Sequence, residues 1–211
     1  LWPGFDVADV PITHITNGVH GPTWTDHRFE SMAREYMSPA QQDEGTFWLT
    51  SGEQGGVPSR VLWEKRNELR GALVDSVRER MRESWLERGA SPAEVGWTDS
   101  VLDPNILTIG FARRVPTYKR LTLMLSDPER LTRLLNDPER PVQLVVAGKS
   151  HSDDEQGVSL IQRLVQFSDD PRVRSRIVFL PNYDMGMARV LVPGVDVWLN
   201  NPLRPLEASG T

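Results

Sequence analysis

From Ile106 onward the chain alternates short apolar runs with helix-like segments, and that alternation most restricts what it can fold into. The runs fall at 106–111, 142–147, 176–180 and 195–199, with helical candidates at 119–136, 157–167 and 185–192 between them. Short Val/Ile/Leu runs separated by helices predict a parallel sheet with right-handed crossovers, part of a doubly wound, Rossmann-like α/β domain. Pro128 lacks the N–H that a helix ladder needs, so the first helical candidate is expected to break or kink there. No G-x-G-x-x-G follows the first run, so a standard dinucleotide site is not supported.

The part before Ile106 reads differently. Residues 1–58 are rich in Gly, Pro, Thr and Trp and read as loops and short elements. A helix is predicted from about Arg60 to Arg88, where Leu69, Leu73, Val77, Met81 and Trp85 recur every fourth residue and Gly89 supplies a stop. That stripe is read as a core-facing helix surface with no chemistry. The 211 residues carry a net charge of -5, which argues against nonspecific nucleic-acid binding. No apolar run approaches the roughly 20 residues of a membrane helix. There is no Cys, which excludes disulfides and thiolate zinc sites and permits a cytoplasmic location. Leu1 in place of Met and a chain end at Thr211 suggest a segment of a longer polypeptide.

Against the acidic background, the segment 110–120, GFARRVPTYKR, packs Arg113, Arg114, Lys119 and Arg120 into eight residues directly after the first run. Open α/β sheets hold ligands at the carboxyl ends of their strands, and guanidinium forks with a lysine point charge suit an oxyanion. Arg114 is placed on the loop and Lys119 at a helix start. A solvated basic helix start is the alternative, although cations there oppose the macrodipole. The segment 205–211, PLEASGT, follows the fourth run. Glu207 can accept from sugar hydroxyls, and Ser209, Gly210 and Thr211 can offer donors to an anion; a helix cap is the competing reading. In THITNGVH, residues 13–20, Asn17-Gly18 is a turn, and His14 and Asn17 are read either as ligand contacts or as a polar turn. His14, His20 and His27 match no compact metal spacing, so no metal site is expected. His151, Asp153, Asp154 and Glu155 read as an acidic helix start, with Lys149 a substrate contact or a surface charge.

Taken together, GFARRVPTYKR, VVAGKSH, the NYDM segment at 182–185, GVDVWLNNP and PLEASGT resemble the α-glucan (glycogen, starch or maltodextrin) phosphorylases, the bacterial branch in particular. ITHITNGVHGPTW resembles the HxxNGV loop of that family's amino-terminal lobe, and the motifs run in family order over essentially the whole chain. The resemblance implies a two-lobed glycosyltransferase-B fold. Residues 1–58 would close the amino-terminal lobe, 59–104 would be a helical connection, and 105–211 part of a Rossmann-like carboxyl-terminal lobe.

The same resemblance implies phosphorolysis of α-1,4-glucan by inorganic phosphate, with release of glucose 1-phosphate and with pyridoxal 5′-phosphate as cofactor. Arg114 and Lys119 would bind the substrate phosphate. Glu207, Ser209 and Gly210 would hold the glucosyl group, with His14 and Asn17 facing it from the other lobe. Thr211 and Tyr183 would lie beside the cofactor, whose Schiff-base lysine falls beyond Thr211. The parent would be a cytoplasmic homodimer, and the fragment alone inactive. Asp184 stands where the animal enzymes carry a basic residue, and Pro116 and Thr117 also depart from them. No cofactor role is therefore carried onto Asp184, and the animal allosteric sites are not transferred. A nucleotide-sugar-dependent glucan synthase of the same fold is the enzyme alternative. A non-catalytic carbohydrate- or anion-binding remnant is the other.

Overall fold

Periodicity and capping account for the helices. The computed structural model describes residues 2–6, 9–13, 20–38, 56–114, 120–150 and 154–203, with the side chains of residues 114 and 121 excepted. Two helices precede the long stripe: α1 (Gly21–Trp24) and α2 (His27–Tyr36). The second was not expected from the sequence. Asp26 caps it by accepting from the Arg28 amide, and Phe29, Met32 and Ala33 bury at i, i+3, i+4 spacing. The stripe itself forms α3 (Ser59–Glu87), within which Leu69, Leu73 and Val77 are buried. Gly89 ends it in the left-handed region at φ +93°, and the Ala90 amide returns to the Trp85 carbonyl at 3.1 Å.

The strands are β1 (Leu107–Arg114), β2 (Val142–Lys149), β3 (Ile177–Pro181) and β4 (Val197–Trp198). All pair in parallel, in the order β3-β2-β1-β4. The expected break at Pro128 is present. A 3-10 segment, Leu121–Ser126, is followed by α4 (Pro128–Leu135), which has Pro at its first turn and Asp127 as its cap. Crossover helices α5 (Glu155–Ser168) and α6 (Met185–Gly194) complete the alternation.

Two expectations change here. β1 is longer than the apolar run that announced it, because all eight of its residues register with β2, ending at Arg114 opposite Lys149. Arg114 is therefore the last residue of a strand and not part of a loop. The following regular segment is a six-residue 3-10 turn, not an α-helix start, so the macrodipole argument for that basic cluster lapses.

The sheet is buried on both faces, as its β2 sequence VQLVVAGK requires. One face packs Ala112, Val145, Ala147, Val178 and Leu180 under α3 and α6; the other packs Phe111, Leu144, Val146 and Ile177 under α4 and α5. At Gly194 the last turn of α6 lies so close to α3 that a Cβ would meet Leu73 Cβ at 2.6 Å. A smaller cluster joins α2 to Leu69 of α3.

Candidate functional site

The strand order runs 3-2-1 in one direction and then returns to place β4 on the free side of β1. Doubly wound sheets bind ligands at such a reversal, in the crevice outside the carboxyl ends of the strands. Here the reversal lies between β1 and β4. Among the described residues their backbones register at Ile109–Val197 and Gly110–Trp198, with the Asp196 amide donating to the Thr108 carbonyl and the Leu199 amide to the Gly110 carbonyl, both at 2.8 Å. Beyond that point β1 continues to Arg114 while β4 has ended.

Both basic and sugar-type motifs of the sequence therefore issue from the two strands that flank the reversal. Arg114 ends β1. Lys119 and residues 115–118 lie outside the described residues, as do His14, Asn17, Glu207, Ser209, Gly210 and Thr211. The structure thus brings the origins of the two motifs together and says nothing of the side chains they carry.

Several described groups occupy the same edge. Arg113, 7% exposed, donates from Nη2 to Asn200 Oδ1 just past β4. Asn182, after β3, takes a left-handed conformation at φ +58°. The next residue, Tyr183, is half-buried against the α3–α6 core. Burial first, and then the nearby Asp184 charge, push its phenol above the ordinary value, so it stays a neutral donor at physiological pH. Asp184 is explained structurally: it caps α6, accepting from the Met187 amide at 2.7 Å. Asp154 caps α5 in the same way, accepting from the Gly157 amide at 2.9 Å. The acidic cluster read as a helix start is, at this residue, just that. Lys149 ends β2 with an exposed side chain.

Among the described residues, buried side-chain atoms without a hydrogen-bond partner are Ser150 Oγ, Trp198 Nε1 and Asn201 Oδ1. All three stand at or just past the carboxyl ends of β2 and β4. Buried polar groups are normally satisfied, so these three stand out among the described residues. Two of the three are donors, the chemistry a phosphate or phosphate ester needs, and Trp198 packs against the same core as Tyr183.

A groove of about 340 Å³ lies on the far side of the sheet, along edge strand β3. Its indoles are already covered. Arg174 stands 4.2 Å over Trp97, Arg88 stands 4.8 Å over Trp85, and the two rings meet edge to face at 5.7 Å. It is two strands away from the reversal. Among the described residues no cluster of three His, Cys, Asp or Glu could hold a metal ion, and no helix is long and apolar enough to cross a membrane.

The opposite, amino-terminal edge carries a buried, multiply bonded arginine that sequence reasoning missed. Arg70, 1% exposed, donates from Nη2 and Nε to the two oxygens of Asp196 at 2.8 and 2.9 Å, and from Nη1 to the Pro104 carbonyl at 2.8 Å. Asp196 also accepts from the Thr108 amide at 2.8 Å and from Arg66 at 3.3 Å. Burial alone would raise the Asp196 pKa. The Arg70 hydrogen bonds, the Thr108 amide and the charges of Arg70 and Arg66 outweigh it and hold the carboxyl below the usual range. The available signal was a charged residue inside an apolar stripe, at position 70 between Leu69 and Leu73.

The chain is 57% identical over all 211 residues to glycogen phosphorylase of Mycobacterium tuberculosis, of which it spans 24%. Along its whole length the chain is a homologue of part of a glycogen phosphorylase. It is also 40% identical over 98% of its length to glycogen phosphorylase of Aquifex aeolicus, covering 30% of that protein. Maltodextrin phosphorylase of Thermococcus litoralis matches at 38% identity over the whole chain and 25% of its own length. No family model matches. The chain therefore spans about a quarter of the length of the phosphorylases it matches first. Its mixed α/β structure with an all-parallel sheet is the one that the alternation of apolar runs and helical segments predicts.

Proposed function

We propose that this chain forms one side of the catalytic cleft of an enzyme that cleaves α-1,4-glucan with inorganic phosphate and releases glucose 1-phosphate. The observation that carries the reading is 57% identity to a glycogen phosphorylase along the entire chain. The topological reversal supports it, because the two motifs that would handle phosphate and sugar leave the strands on either side of it.

In this reading Arg114 and Lys119 bind the substrate phosphate and lower the cost of holding anions close together. Glu207, Ser209 and the Gly210 amide fix the glucosyl hydroxyls, while His14 and Asn17 face the sugar from the opposite side. Pyridoxal 5′-phosphate, when bound, supplies a phosphate group that can hold or return a proton beside the substrate phosphate. Thr211 and Tyr183 would hold that cofactor, Tyr183 offering a phenol whose pKa is raised by burial. The unsatisfied donors Ser150 Oγ and Trp198 Nε1 fit a phosphate ester at this edge. No paired carboxylates are required, unlike glycoside hydrolysis. The proposal includes a cytoplasmic, homodimeric parent enzyme, as the family resemblance implies.

The test is direct. The full-length protein, given a maltooligosaccharide and inorganic phosphate, is expected to form glucose 1-phosphate. Free glucose as the only product, or no product with the cofactor bound, would overturn the reading.

A further inference from the structure

The groove along edge strand β3 carries positive charge that the described fold does not answer. Three guanidiniums line it: Arg80 and Arg88 from the end of α3, and Arg174 from the approach to β3. Arg80 and Arg174 are partly buried. Among the described residues none of the three forms an ion pair. Their neighbours do: Arg82 pairs with Asp99, and Arg172 pairs with Asp170 and Glu129. The carboxylates on the same walls are otherwise placed. Asp184 caps α6 through the Met187 amide, and Glu83, Glu87 and Asp169 are exposed.

Two of the three cations are held by rings. Arg174 lies over Trp97 and Arg88 over Trp85, and Arg88 Nε also donates to the Ser84 carbonyl at 2.9 Å. A guanidinium lying over an indole is fixed by its face, while its N–H donors lie in its plane and stay available to an acceptor. The covered indoles leave those donors as the recognising groups of the groove. Arg80 and Arg88 are eight residues apart along one helix axis, a rise of about 12 Å. That spacing is too long for one small anion and suits a series of carboxylates, which guanidinium forks bind well.

We infer that the groove is the docking site for an acidic segment of the same polypeptide lying outside residues 1–211, whose carboxylates pair with Arg80, Arg88 and Arg174. The chain spans 24% of the glycogen phosphorylase it matches at 57% identity, so about three times its own length is available to supply that segment. A segment on the same polypeptide meets the groove at high effective concentration, so individually weak pairs suffice to hold it. The inference uses the length of the relatives and not the phosphorolysis reading, and its test needs no turnover.

The experiment uses the full-length protein as wild type and as the variants Arg88→Lys and Arg174→Lys, treated with a carbodiimide that joins a lysine to a carboxylate in contact with it. Mass spectrometry is expected to find position 88 or 174 joined to an Asp or Glu outside residues 1–211, in a product of monomer mass. The wild type, with arginine at both positions, gives no such link there. Links only to Glu83, Glu87 or Asp169 overturn the inference. So does a link found only in a product of twice the monomer mass, which assigns the groove to a second copy. No link at either lysine also overturns it, and is the outcome for a groove that takes a small anion or stays open. Hydrogen exchange is the second measurement. Arg88→Glu/Arg174→Glu is expected to raise exchange about threefold or more in the peptide that carried the link. Raising salt from about 0.05 M to about 1 M should do the same in the wild type, which decides the matter if the doubly reversed variant does not fold. Exchange in that peptide unchanged by salt overturns the charge pairing.

Discussion

The two edges of the same four-stranded sheet are finished in opposite ways. At the amino-terminal edge the buried Arg70 is paired with Asp196. Arg70 and Asp196 share two hydrogen bonds, and the Thr108 amide and Pro104 carbonyl take up further valences. Gln143, fully buried, donates to the Asp103 carbonyl and Thr108 Oγ1, both at 2.8 Å, and accepts from the Asp103 amide at 2.8 Å. At the carboxyl edge the described polar atoms include Ser150 Oγ, Trp198 Nε1 and Asn201 Oδ1, buried without partners. A fold can close one edge of a parallel sheet with its own groups and leave the other for a ligand. Here the contrast is between polar groups satisfied within the fold and polar groups left without partners.

The comparison can be broken most forcefully at Asp196. Asp196→Asn leaves Arg70 buried without its counter-charge, at an expected cost of about 3–5 kcal/mol. Thermal unfolding should show a large fall in Tm, while any protein still folded keeps its KM for phosphate. Because the folded-state pKa of Asp196 is depressed, its contribution is present above the unfolded value of about 3.9 and lost as pH falls through the lower folded value. The wild type should therefore lose stability below about pH 4 by more than Asp196→Asn does.

The reverse case comes from the other edge. Arg114→Ala and Lys119→Ala in the full-length enzyme should each cost about 3 kcal/mol or more of transition-state stabilisation and weaken phosphate binding. Tm should move little. Unchanged phosphate dependence in both would remove them from the site.

The smallest effect sharpens the boundary. Asp184 lies at the carboxyl edge but is a cap, so Asp184→Ala should cost about 1 kcal/mol of stability and leave kcat near the wild-type value. A large loss of turnover with Tm intact would move Asp184 from the structural set to the functional one.

Much of this contrast was legible in the sequence, but unevenly. The strands β1 to β3 and helices α3, α5 and α6 follow from period and from residue type, since a sheet buried on both faces must read as continuous apolar runs. α2 was hidden by its Gly-, Pro- and Trp-rich surroundings, although Asp26 and the Phe29, Met32, Ala33 spacing mark it. The end of β1 was hidden because Arg113 and Arg114 look like loop residues until β2 is seen to pair with them. Arg70 and Asp196 are 126 residues apart, and no local pattern can announce such a pair. The site was legible as motifs, through resemblance; that two of them follow the strands on either side of one reversal needed the strand order.

Helix α3 carries a mechanical consequence. At 29 residues it is a rod of about 43 Å. Leu69 belongs to the cluster with α2, and Leu73, one turn later, belongs to the core of the sheet, where Gly194 lets α6 press directly against it. Two cores are thus threaded on adjacent turns of one stiff shaft, with no joint between them. The packing around Phe29 and Met32 and the packing of α6 and the sheet therefore share one rigid support.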